Sequence, residues 1–284
     1  MTTNSLARKA LLLTELTVLA LLAWQLLPDQ YLGPYNAWNP HAIMEFVITL
    51  FAISLLGKLI VHLMGYHYGL LLTGLVAGFA SSTATIHTMG KVATTQPHLA
   101  DRAALGGVLS NIATLMQLSV LLQLLAPQVL TLLLQPMVFG MVGMCAHAVW
   151  VLVIAKPEVI SAPQTQVQSD IDWQGLLTLT AVVCAVSYAS AALNATYGQN
   201  GLWVGAAVSG LVDAHAIVPT VASLLARDQL LPTEALIPLL LALTSNAFTK
   251  SLIALQAGGW AYARKVSVGV WITTVSVWMG YFLG

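Results

Sequence analysis

Two stretches decide how this chain is read: Gly69-Leu-Leu-Leu-Thr-Gly-Leu-Val-Ala-Gly-Phe-Ala-Ser-Ser-Thr-Ala-Thr85 and Gly201-Leu-Trp-Val-Gly-Ala-Ala-Val-Ser-Gly-Leu-Val-Asp-Ala-His-Ala-Ile217, which align at an offset of 132 residues. Gly201, Gly205, Ser209 and Asp213 recur every fourth residue, as do Gly69, Thr73, Ala77, Ser81 and Thr85. On a helix each set shares one face. Small residues at that spacing let a neighbouring helix approach closely. Further on, Leu109-Ser-Asn-Ile-Ala-Thr114 aligns with Thr244-Ser-Asn-Ala-Phe-Thr249 at an offset of 135. Each half therefore has a Gly-rich segment followed by one carrying Ser-Asn-x-x-Thr. Four spans between the copies would make them parallel, and one span more or fewer would make them inverted. Both arrangements occur among transporters, with sites at the repeat interface.

The composition around these stretches is that of a membrane protein. Hydrophobic residues make up 58% of the 284 and charged residues only 7%, and the mean hydropathy is +0.84. A soluble domain carries about one charged residue in four. This chain has too few charges to cover a soluble surface, which excludes a soluble enzyme, a secreted disulfide scaffold and a disordered chain. The net charge is zero with no basic cluster, so no nucleic-acid partner is expected. Cys145 and Cys184 both lie in apolar stretches without CxxC spacing and read as small core residues.

A spanning helix needs roughly 20 apolar residues. Such runs fall at 10–27, 41–63, 69–93, 103–126, 128–155, 173–192, 201–226, 233–257 and 264–283. They predict an all-α polytopic bundle of about nine spans in two related halves. Residues 1–40 read as a retained signal anchor with an interfacial loop, 41–155 as the first half and 173–284 as the second. The polar stretch 156–172 reads as an extramembrane linker. The loop Pro28 to Pro40 carries Tyr31, Tyr35 and Trp38, which suit the membrane–water interface. With nine crossings, Arg8, Lys9, Arg264 and Lys265 fall on one side, against Lys91, Arg102, Lys156 and Arg227 on the other. That even split gives no orientation.

Asp213 is the charge that most needs explaining. It lies near the centre of its span, where a short carboxylate cannot reach the interface and costs on the order of 3 kcal/mol to insert. It is either held by a packing hydrogen bond or faces water in a functional site. Pro219 cannot donate a backbone bond, and its ring clashes with the carbonyl of His215. A broken helix would bring Asp213, His215 and a freed carbonyl together, whereas on an intact helix residues 213 and 215 point about 200° apart. A simple kink with His215 in packing is the alternative. Ser81, Ser82, Thr83 and Thr85 occupy the matching position in the first half, either bonded back to their own helix or lining a site. Asn111 and Asn246 are matched mid-span amides, serving as interhelical glue or as ligands. Lys250, one turn after Asn246, could snorkel or pair with Asp213. The metal-binding candidates are Asp213 and His215. No complete catalytic constellation is present, so no enzyme and no cofactor is expected.

The loop Leu27 to Pro40, the run Gly78-Phe-Ala-Ser-Ser-Thr-Ala-Thr85, Gly210-Leu-Val-Asp-Ala-His-Ala216 and Leu243-Thr-Ser-Asn-Ala-Phe-Thr-Lys250 together resemble a known bacterial membrane domain. It is catalogued as domain of unknown function 4010 and often follows an MgtC/SapB-type region. The likeness runs from about residue 27 to 265. It implies a multi-pass inner-membrane protein of unestablished activity. The MgtC/SapB-type region is not in this sequence, so its role is not carried over. The family pattern has a second acid where this chain has His215, which weakens any site needing two negative charges.

The combined expectation is a transporter or channel in the lipid bilayer for a small cation, either a metal ion or a proton coupled to a polar solute. Asp213, His215 and Ser81 to Thr85 would line the midplane, supported by Asn111, Asn246 and Lys250. The alternative is a non-transporting module that packs against another membrane protein, with Asp213 paired to Lys250. A homo-oligomer is compatible with either.

Overall fold

The computed structural model describes residues 21–64, 69–154 and 173–284. The anchor expected over 10–27 lies mostly outside these residues, and the linker expected over 156–172 lies outside them entirely. The described elements are α1 (Pro40–Met64), α2 (Gly69–Thr95), α3 (Ala100–Leu125), α4 (Pro127–Ile154), α5 (Trp173–Tyr197), α6 (Gln199–Val212), α7 (Val218–Ala226) and α8 (Leu236–Leu283). Among the described residues, six helices are long and apolar enough to cross a membrane. Side chains such as Leu59, Val142, Val153, Val204 and Leu252 are exposed on the outside, where lipid covers them. The protein is an all-α, multi-pass membrane bundle.

Two segments counted as crossings turn back instead. Within α2, Ser81 has extended backbone (φ −171°, ψ 114°). Before it, Gly74 packs on the backbone of Gly106 and Gly78 on that of Ser110, so 69–80 runs parallel to α3. After it, Ile86 lies against Gly107 and Met89 against Gly106, so the chain returns antiparallel to α3. Both ends of α2 therefore lie at the membrane face where α3 begins.

The α6–α7 pair repeats this device. Asp213 is extended (φ −155°, ψ 134°) and ends α6. Gly201 packs against Leu193 and Gly205 against Ser190, so α6 runs antiparallel to α5. On the return, Thr220 Oγ1 donates to Ser187 Oγ at 3.3 Å, and Leu224 and Arg227 lie with Ala191 and Asn194 around one cavity. α7 thus runs back to the level where α6 began. The two breaks, Ser81 and Asp213, stand at the same 132-residue offset as the aligned stretches.

The hairpins point in opposite directions. The first arm of α8, 236–258, runs parallel to α6, with Gly210 packed on Ala242 and Thr249 Oγ1 donating to the Leu211 carbonyl at 2.9 Å. It runs antiparallel to α3, since Lys250 meets Asn111 while Ala257 and Gly258 lie against Gly90, near the start of α3. Gly259 (φ 69°, ψ −177°) then breaks α8. That backbone conformation suits glycine, which lacks the Cβ that would strain it. The second arm, 260–283, crosses back along α4, with Gly143 against Ser276 and Gly280 against Pro136.

A helix broken inside a membrane frees backbone groups that hydrocarbon cannot satisfy, at several kcal/mol each. Local side chains meet this need. Ser81 Oγ accepts from the Ala84 N–H at 3.2 Å and so caps the turn that follows it, and Asp213 Oδ1 accepts from the His215 N–H at 2.7 Å within the turn that precedes α7. The freed carbonyls are met from neighbouring helices. Gln117 Nε2 donates to Phe79, Ser54 Oγ to Ala80 and Thr249 Oγ1 to Leu211. Pro219 sits in the first turn of α7, where a missing N–H does no harm.

Three expectations change. First, 69–93 and 201–226 are hairpins, not crossings. Second, parity shifts accordingly, and Lys265 bonds Asp101, so among the described residues of that comparison Arg264 and Lys265 share a face with Lys91 and Arg102 while Arg227 stands on the other. Third, the His215 carbonyl is not free, because the Val218 N–H donates to it at 3.0 Å once the turn replaces the helix.

Candidate functional site

The two hairpin tips meet on α3, at Thr114. From the second tip, His215 points its Nε2 at the Thr114 carbonyl, 3.2 Å away. Toward the first tip, Thr114 Oγ1 donates to Ser82 Oγ at 2.9 Å, and Ser110 Oγ donates to the Ser82 carbonyl at 3.4 Å. From α8, Lys250 Nζ donates to Asn111 Oδ1 at 2.8 Å and to Thr114 Oγ1 at 3.0 Å. One polar network thus joins both hairpins with α3 and α8.

The charged groups sort into a pair and a single group. His215 Nδ1 lies 2.7 Å from Asp213 Oδ1. Both imidazole nitrogens therefore face acceptors, a carboxyl oxygen and a carbonyl. Filling both bonds takes two protons, as imidazolium with carboxylate or as imidazole with carboxylic acid. Either arrangement leaves the Asp213–His215 pair without net charge. Lys250 is 2% exposed and its two hydrogen bonds go to neutral groups, with Asp213 acting on it through space and not by a direct bond. Pairing between Lys250 and Asp213 was one sequence expectation, but the hydrogen bonds divide otherwise. The helix break turns Asp213 off the Gly201–Ser209 face and toward the following imidazole.

The remaining site candidates are distributed as follows. Ser81 forms the break itself, and Thr85 Oγ1 donates back to the Ser81 carbonyl at 2.8 Å. Thr83 is half-buried beside them on the first turn after the break. Asn246 is buried and shares a cavity of about 20 Å³ with Asn111, Thr114, Lys250 and Thr274. That is room for one water molecule. For a metal, Asp213 and His215 are a poor set, since His215 Nδ1 is engaged by Asp213 Oδ1 and His215 Nε2 by the Thr114 carbonyl. Among the described residues no group of three His, Cys, Asp or Glu side chains gathers.

Sequence reasoning missed Thr114 and Gln117. Thr114 closes the repeated Ser-Asn-x-x-Thr motif, so the repeat itself carried its signal. Gln117 had none, because its role of satisfying the Phe79 carbonyl exists only once α2 breaks.

The fold and this network define a multi-pass membrane protein with a polar cluster where two discontinuous helices meet. The chain belongs to the family described as domain of unknown function (DUF4010), whose model matches residues 48–258. Three of the four resembling motifs lie inside that match. The loop Leu27 to Pro40 lies before it, and the match ends at the residue preceding the Gly259 break. No curated protein and no solved structure matches the chain.

Proposed function

We propose that this protein is a carrier rather than an enzyme, moving protons together with a small ion or polar solute through the cluster at Thr114. The observation that supports this is the meeting of two oppositely directed hairpin tips on one buried residue, with Asp213, His215 and Lys250 around it. Discontinuous helices of opposed direction are how many transporters build midplane sites. Of the small cations the sequence suggested, the proton suits these side chains best. The Asp213–His215 pair holds protons in its hydrogen bonds, and Lys250 adds a third titratable group through Thr114. Metal ions are less well served, for the reason given above. The basic face carrying Lys91, Arg102, Arg264 and Lys265 is the cytoplasmic one by the positive-inside rule, in a bacterial inner membrane.

The test is purified protein in liposomes loaded with a pH dye, challenged in turn with gradients of sodium, potassium, magnesium, chloride and acetate. At least one gradient should move protons. Asp213→Asn should slow that movement by about a hundredfold, the scale of losing one proton-transfer group. Silence toward the whole panel would favour the non-transporting module.

A further inference from the structure

A second site stands apart from the Thr114 cluster, at the opposite end of α7. A cavity of about 460 Å³ opens there, lined by Tyr35, Asn36, Asn194, Leu224, Arg227 and Gln229. It lies on the face remote from Lys265, between the loop before α1, the end of α5 and the base of the second hairpin. Its volume is in the range of small-molecule sites.

The guanidinium of Arg227 is fixed before any ligand arrives. Nε donates to the Ser223 carbonyl at 3.2 Å and Nη1 to the Tyr35 carbonyl at 3.2 Å. Its carbon lies 5.2 Å from the centre of the Tyr31 ring. Arginine has five N–H donors in a rigid fork, so this anchoring leaves donors unspent. Arg227 has no carboxylate partner among the described residues. The other polar side chains that line its cavity are amides and a tyrosine, able to donate, the rest are apolar, and none of the lining residues is acidic. A fixed cation with spare donors, ringed by amides, suits a planar or tetrahedral oxyanion.

We propose that this cavity binds a small oxyanion, a carboxylate or phosphate, on the Arg227 fork. Two sources share that chemistry: a soluble anion and the phosphate of an acidic lipid headgroup. Binding here does not depend on the transport reading, since it is measured at equilibrium.

The experiment uses the full chain purified in neutral detergent, then in nanodiscs with and without phosphatidylglycerol. Inorganic phosphate and succinate are titrated against intrinsic tryptophan fluorescence, and co-purifying lipid is identified by native mass spectrometry. Wild type should bind a soluble probe saturably or retain phosphatidylglycerol. Arg227→Gln should weaken that binding by about tenfold or more. Arg227→Lys, which keeps charge but loses the fork, should fall between. Asn194→Leu, which leaves the arginine in place, guards against a folding artefact and should weaken binding too. Competition between succinate and phosphatidylglycerol would mark the lipid as an occupant, whereas succinate binding unaffected by the lipid would mark a soluble ligand. No binding of either kind, or binding unchanged in Arg227→Gln and Asn194→Leu, overturns the proposal.

Discussion

His215 Nε2 lies 3.2 Å from the main-chain oxygen of Thr114, a residue 101 positions earlier in the chain. The Thr114 side chain, on the same residue, reaches Ser82 and Lys250. Replacing Thr114 with valine keeps the shape and removes only the hydroxyl. Lys250 then loses one of its two partners. The cost should be about 1–3 kcal/mol, the penalty of an unmet buried donor. Thermal melting in detergent measures it, and Thr114→Ser should restore most of the loss.

Lys250→Met separates stability from function. A buried charge bound only to neutral groups contributes little to folding, and an apolar residue of similar length is often neutral or stabilising there. The variant should melt within a few degrees of wild type or above it, while solute-linked proton movement disappears. A protein that neither folds nor inserts would contradict this account of Lys250.

The hairpins depend on close backbone approach. A Cβ at Gly78 would stand 2.7 Å from Ser110 Cα, and Gly210 is packed on the Ala242 backbone. Gly78→Val and Gly210→Val should each destabilise by about 1–3 kcal/mol or more, as overpacking does. Gly69→Ala meets no neighbouring atom within 4 Å, so its cost should be limited to its positive φ. Yield and melting temperature should therefore rank Gly69→Ala well above the two valine variants.

Orientation is testable with single cysteines placed in a chain lacking Cys145 and Cys184. Gln229→Cys should react with an impermeant maleimide in intact cells. His98→Cys and Lys265→Cys should react only after permeabilisation. The reverse pattern would place the basic face outside.

Much of this was legible in the sequence because it depends on short-range chemistry. The apolar runs mark the helices, and Pro219, six residues after Asp213, marks one place where a helix gives way. The Asp213–His215 pairing followed from the angle between positions 213 and 215, given a break. What the sequence hid was direction. A run of 25 apolar residues reads the same whether it crosses the membrane or folds back at its middle. The single extended residue at Ser81 leaves no signature in hydropathy. The parity error followed from that, and it scattered the basic residues over both faces. The partner of Lys250 was hidden for a related reason. Asp213 competed with Asn111 and Thr114, and only the antiparallel packing of α3 and α8 favours the latter.

A segment that enters and leaves by the same face is topologically silent. Either hairpin could be shortened, exchanged or deleted during evolution without inverting anything downstream. The membrane insertion machinery would read the same signals and place the remaining helices as before. The tips at Ser81 and Asp213 are therefore free to diverge as cassettes. One tip carries hydroxyls, and the other a carboxylate and an imidazole.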